Sequence, residues 1–223
     1  MIITIDGPAG AGKSTVAKAL ARRLGFRFLD TGAMYRAVAL AGLRQGLDWD
    51  VPDDWARLAR KLDIKVSGYS IYLNGEDVTD AVRTSEVTSV TRYAADNPRI
   101  REHLVELQRA VAGGDNIVTE GRDQGTVVFP KAECKIFLTA SPEQRARRRL
   151  RDLESQGEPV TLEQVLTAQE RRDREDAGRA VGPLAPAPDA VEVCTDGMTV
   201  EEVVSQLEKL VRSSDEARMT NDE

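Results

Sequence analysis

Residues 7–14 read Gly7-Pro8-Ala9-Gly10-Ala11-Gly12-Lys13-Ser14, with Thr15 next, and match G-x-x-x-x-G-K-[ST], the pattern of a phosphate-binding loop. The flanks fit that pattern. Ile2-Ile3-Thr4-Ile5 reads as a buried strand, and Val16, Leu20 and Leu24 recur at helical spacing before Gly25. Glycines let backbone N–H groups turn toward an anion, and the helix start adds a positive field. Lys13 can reach the terminal phosphates of a nucleotide, and Ser14 can ligate magnesium.

Four further β-branched or apolar runs follow: Phe26–Leu29, Ile117–Thr119, Ile136–Leu138 and Ala190–Cys194. They alternate with helical patterns, which predicts a five-stranded parallel sheet flanked by helices. Ile64, Val66, Ile71 and Leu73 alternate with polar residues around the turn signals Gly68 and Asn74-Gly75. That predicts a small antiparallel β insertion over residues 63–83. Helix starts are marked at Ser141-Pro142 with a capping-box Gln144, at Thr161 with Gln164, and at Thr199 with Glu202. From about Ser213 the chain is polar and reads as a disordered tail.

The 223 residues carry 41% hydrophobic and 30% charged side chains, as a globular protein does. No apolar run approaches the roughly 20 residues of a membrane span. The first strand begins at Met1, so no signal peptide is expected, and the location is expected to be cytoplasmic. A net charge of −6 argues against nucleic acid as a partner. Cys134 and Cys194 read as small core residues, and His103 as a surface residue.

Three other clusters carry chemistry. Asp30-Thr31-Gly32-Ala33-Met34-Tyr35-Arg36 sets a hydroxyl, a phenol and a guanidinium at a helix start, a second anion site. Glu120-Gly121-Arg122-Asp123 ends a strand, with Glu120 placed to hold a magnesium-bound water and Arg122 to meet a phosphate. Arginines crowd two helices, at 145, 147, 148, 149 and 151 and again at 171, 172, 174 and 179. In a kinase such residues neutralise the transferring phosphoryl group. GTPases pair this loop with an Asn-Lys-x-Asp segment, which this chain lacks, and its length leaves no room for motor machinery.

Taken in order, these motifs resemble those of bacterial cytidylate kinases over about residues 2–212. They are the loop itself, Asp30–Arg36, Leu73-Asn74-Gly75-Glu76-Asp77-Val78, Gly121-Arg122-Asp123-x-Gly125-Thr126-Val127-Val128-Phe129-Pro130, and Arg172-Asp173-x-x-Asp176-x-x-Arg179-Ala180-Val181-x-Pro183-Leu184. The resemblance implies a nucleoside monophosphate kinase-like fold in one domain over 1–212, with residues 213–223 as the tail. Its core would take about 1–30, 113–150 and 183–212. A monophosphate-binding part with the β insertion would take about 31–112, and a mobile lid about 151–182.

The resemblance also implies transfer of the γ-phosphoryl of ATP to CMP or dCMP, with magnesium, by a monomer. ATP phosphates would be held by residues 7–15 together with Arg145 and Arg149. The monophosphate would be held by Thr31, Tyr35, Arg36 and Arg122, the base by Arg101, Asp123 and a hydroxyl near Thr91, and the ribose by Arg172 and Asp176. Arg179 would make the lid contact. Lys13, Arg122, Arg172 and Arg179 would be catalytic, and Ser14 and Glu120, the latter through water, would hold the metal. Where the family usually carries Asp, this chain has Glu120. An AMP or shikimate kinase, or a regulatory module that binds nucleotide or RNA without turnover, are the competing readings.

Overall fold

In the computed structural model, which describes residues 1–155 and 157–219, the β-branched runs form strands where they were expected. They are β1 (Ile2–Asp6), β2 (Arg27–Asp30), β6 (Ile117–Gly121), β7 (Cys134–Thr139) and β8 (Val191–Cys194), in the sheet order β2-β6-β1-β7-β8. β1 pairs in parallel with β6, Ile2 opposite Ile117, and with β7, Ile3 opposite Cys134, while β7 pairs in parallel with β8. The chain divides into two units, residues 1–26 with 116–223, and residues 27–115.

In the first unit, α1 (Lys13–Leu24) follows the loop and stops at Gly25, whose φ of 70° only glycine takes easily. α6 (Pro142–Ser155), α7 (Leu162–Ala177) and α8 (Val200–Met219) complete this unit. Ile3, Ile5, Leu20, Ile117, Ile136, Leu138 and Leu207 are fully buried, each contributing about 1.5–3 kcal/mol of hydrophobic stabilisation. α6 and α7 share a small apolar cluster, Ala146, Leu153 and Val165 with Leu150 and Leu166 packed on it.

The second unit holds α2 (Thr31–Arg44), α3 (Pro52–Ala59), the antiparallel sheet β3 (Ile64–Ser67), β4 (Ser70–Leu73) and β5 (Glu76–Asp77), then α4 (Ser85–Ala95) and α5 (Pro98–Ala112). Asn74 and Gly75 both have positive φ, 52° and 85°, the two-residue turn that Asn-Gly favours. Trp55 is buried against Gly42, where a Cβ would lie 2.0 Å from the indole.

Four expectations are corrected. α8 does not end near residue 212 but runs to Met219, because Arg212 pairs with Glu208 one turn back and Val211 stays buried. The remainder of the expected tail, residues 220–223, lies outside the described residues. Ser141 accepts from the Gln144 N–H, but its own N–H donates to Asp196 at 3.0 Å instead of closing a capping box with Gln144. Cys134 is buried as expected while Cys194 is exposed. His103 is half-buried instead of exposed.

Candidate active site

The loop is held open by left-handed glycines. Gly10 and Gly12 have φ of 79° and 92°. At Gly7 a Cβ would sit 2.1 Å from the Leu138 carbonyl oxygen, so no side chain fits. Lys13 opens α1 and curls back, its ammonium donating to the Pro8 carbonyl at 2.8 Å. It is buried, and burial, with the positive field of Arg122, lowers its pKa to about 7; Arg172 adds to this, while Glu120 and Asp6 oppose it.

The structure brings Ser14 and Glu120 together. The Ser14 hydroxyl donates to Glu120 Oε1 at 2.9 Å, and the carboxylate is buried at the end of β6. The longer Glu side chain therefore reaches the loop. A hydroxyl and a carboxylate are hard oxygen donors of the kind magnesium takes when phosphates and water supply its other ligands.

Arg122, Asp176 and Arg179 are also brought together. Arg122 Nε donates to Asp176 Oδ2 at 2.7 Å, and Arg179 donates to Oδ1 of the same carboxylate. Burial alone would raise the Asp176 pKa. The guanidiniums of Arg122 and Arg179, with Arg172, outweigh it and hold the carboxyl below its ordinary value.

Of the α6 arginines assigned to ATP phosphates, Arg145 is already committed. It is buried, with Nε donating to the Ala140 carbonyl at 3.1 Å and Nη1 to the Ala9 carbonyl at 3.0 Å and to Asp173 at 2.6 Å. Its observed partners are the loop's backbone and α7, because its place on α6 turns it inward. Arg149 is partly exposed on the same helix.

Arg148, which no motif singled out, grips the loop as well. Its guanidinium donates to the Ala11 carbonyl at 3.2 Å and to both the hydroxyl and the carbonyl of Thr195 at 3.0 Å. Only the periodicity of α6, which sets residues 145 and 148 on neighbouring turns, could have marked it. Arg148→Ala leaves these acceptors without their donor, so it should lower stability by about 1–3 kcal/mol. It should also raise the KM for the phosphoryl donor more than that for the acceptor. Denaturant melts and steady-state kinetics check both.

In the second unit, Asp30 caps α2 by accepting from the Ala33 N–H at 3.0 Å, and it accepts from Arg83 at 3.1 Å. Thr31 and Tyr35 are buried on the first turns of α2. The Arg101 guanidinium lies 5.4 Å from the centre of the Tyr35 ring. Arg36 donates to the Thr88 hydroxyl at 2.6 Å. Thr91 is different: its hydroxyl donates to the Val87 carbonyl at 2.7 Å, within its own helix. That bond leaves the oxygen able to accept from a donor such as an exocyclic amine.

The fold and the loop define a kinase of the phosphate-binding-loop type, a phosphotransferase. The family model described as Cytidylate kinase matches residues 3–213. The chain is 52% identical over 221 residues to a cytidylate kinase of Rhodopirellula baltica, covering 99% of this chain and 96% of that protein. It is 50% identical over 210 residues to one of Pelotomaculum thermopropionicum, covering 92% and 93%. The chain belongs to the cytidylate kinase family. Among solved structures, an uncharacterized protein from Eubacterium ventriosum has the same fold, with a TM-score of 0.52 at 14% identity over 96% of this chain and 98% of that one. Membership in that family makes this chain a kinase, a phosphotransferase. No helix among the described residues is long and apolar enough to cross a membrane.

The lowered Lys13 pKa gives a signed prediction. At pH 8 a group with a pKa near 7 is mostly neutral. A bound polyphosphate stabilises the ammonium and raises that pKa, so binding should take up as much as about one proton per site. Calorimetry in buffers of different ionisation enthalpy measures it, and a binding heat that ignores the buffer would contradict it.

Proposed function

We propose that this kinase moves the γ-phosphoryl group of ATP onto CMP or dCMP in the cytoplasm, giving ADP and CDP or dCDP. An acceptor phosphate oxygen forms the new P–O bond as the bond to the β-phosphate oxygen breaks. The acceptor phosphate is already ionised at neutral pH, so no strong base is needed. Catalysis is alignment and charge neutralisation. The observation that carries this reading is the Ser14–Glu120 pair at 2.9 Å next to Lys13 in the phosphate loop. A cation and two oxygen donors so gathered suit a nucleotide's phosphates and their magnesium.

Residues 7–15 cradle the ATP phosphates, with Arg149 a further donor from α6. Ser14, and Glu120 through water, would hold magnesium, which when bound neutralises phosphate charge. Thr31, Tyr35 and Arg36 hold the acceptor phosphate with Arg122. Arg101 and Asp123 read the base, while Arg172, Asp176 and Arg179 contact the ribose and phosphates. Steady-state kinetics with CMP, dCMP, UMP, AMP and shikimate as acceptors test the reading; faster turnover of AMP or shikimate than of CMP would refute it.

The segment at about 151–182 is proposed to close as a lid. The apolar cluster that ties α6 to α7 is small, so local opening should be easy. Amide exchange across that segment, Arg172 to Arg179 above all, should be fast without ligand and slow once both nucleotides bind. Equal protection in the two states would mark the segment as fixed.

A further inference from the structure

Asp6 ends β1, one residue before the loop, and is buried. In the β1–β6 register its backbone lies opposite Gly121. Its carboxylate reaches past Gly121: Oδ1 accepts from the Gln124 N–H at 2.9 Å and Oδ2 from the Gly125 N–H at 2.7 Å. One residue therefore fixes the chain at 121 by strand pairing and at 124 and 125 by its side chain. Arg122 and Asp123 are the two residues bracketed.

The segment is tight on every side. A Cβ at Gly121 would meet the Gln124 side chain at 2.8 Å, and one at Gly125 would meet the Thr4 hydroxyl at 3.0 Å. The Gln124 amide oxygen accepts from Thr119 at 2.9 Å. Burial raises the Asp6 carboxyl to about 6 against the two N–H donors, with Asp123 adding to the rise and Lys13 opposing it, so it is mostly ionised at neutral pH.

We infer that Asp6 is a positioning residue for acceptor recognition, pinning the Gln124 and Gly125 amides so that Arg122 and Asp123 keep a fixed aim. This rests on the reading of those two residues as acceptor groups. A single side chain then serves the donor loop by its place in the chain and the acceptor segment by its hydrogen bonds.

The decisive variant is Asp6→Asn, which keeps the shape but sets an NH2 group against one of the two N–H donors. A misplacement of about 1 Å can cost about 100-fold in rate. On that scale kcat/KM for CMP should fall about 10- to 100-fold and the CMP-over-UMP ratio about 10-fold, while KM for ATP stays within about 3-fold. Equal losses for ATP and CMP, or an unchanged CMP-over-UMP ratio in the folded variant, would overturn the inference. If the variant does not fold, the native chain still decides: NMR exchange of the Gln124 and Gly125 amides should be slow and similar without ligand. Rapid exchange of both would overturn it. Failure of the native chain to phosphorylate CMP would instead overturn the functional reading, and the exchange experiment would still decide the pin.

Discussion

Lys13→Ala should lower kcat by about 10²- to 10³-fold, the scale of losing one preorganised electrostatic stabiliser, or about 2.7–4 kcal/mol of barrier. Lys13 opens α1 after a loop whose Gly7, Gly10 and Gly12 take positive φ. Its own observed bond is a single donation to Pro8. Burial disfavours its charge, so removing it relieves a desolvated cation, and the fold should survive. On the proposed reading, what is lost is the charge that would follow the γ-phosphoryl as it moves. Stopped or steady-state assays with a thermal melt alongside check the result. An unchanged kcat in a folded variant would remove Lys13 from the mechanism.

Asp123→Ala should cut kcat/KM for CMP by at least about 10²-fold and shrink the preference for CMP over UMP. Cytosine offers an exocyclic amine beside a ring-nitrogen acceptor. A carboxylate accepts from the amine, and a guanidinium such as that of Arg101 donates to the acceptors. Uracil reverses both groups, so Asp123 would face an oxygen and Arg101 a donor. Each buried polar group left unpaired costs about 1–3 kcal/mol, more when charged. The native chain should therefore favour CMP over UMP by at least about 10²-fold. Asp123 is 4% exposed, so water offers it little alternative. If the variant keeps the native CMP-over-UMP ratio, Asp123 has another role, such as pairing with a neighbouring arginine.

Strands and caps were legible because their signals are local. The β-branched runs, the Asn74-Gly75 turn, and the Thr161–Gln164 and Thr199–Glu202 boxes are all present in the structure. The two motifs marked Ser14 and Glu120 separately, and the direct bond between them came only with the fold. The facing of the arginines on α6 was not. Five arginines in seven residues hide which of them turn inward, and Arg145 and Arg148 do so by virtue of loop carbonyls 136 and 137 residues away in sequence. The π-helical turn Gln124–Val128 was equally hidden. Nothing in Gln-Gly-Thr-Val-Val announces it, and its first two amides donate to the Asp6 carboxylate more than a hundred residues earlier.

The aromatic residues have an optical consequence. Trp49 and Trp55 stack with ring centres 4.7 Å apart, and Tyr93 lies 4.8 Å from Trp49. Both tryptophans and all four tyrosines of the chain, Tyr35, Tyr69, Tyr72 and Tyr93, fall within residues 27–115. Absorbance near 280 nm and the emission it excites thus come from the second unit alone, whereas far-ultraviolet dichroism sums the helices of both. Recording the two signals on one heated sample compares the melting of one unit with that of the whole chain, with no label attached.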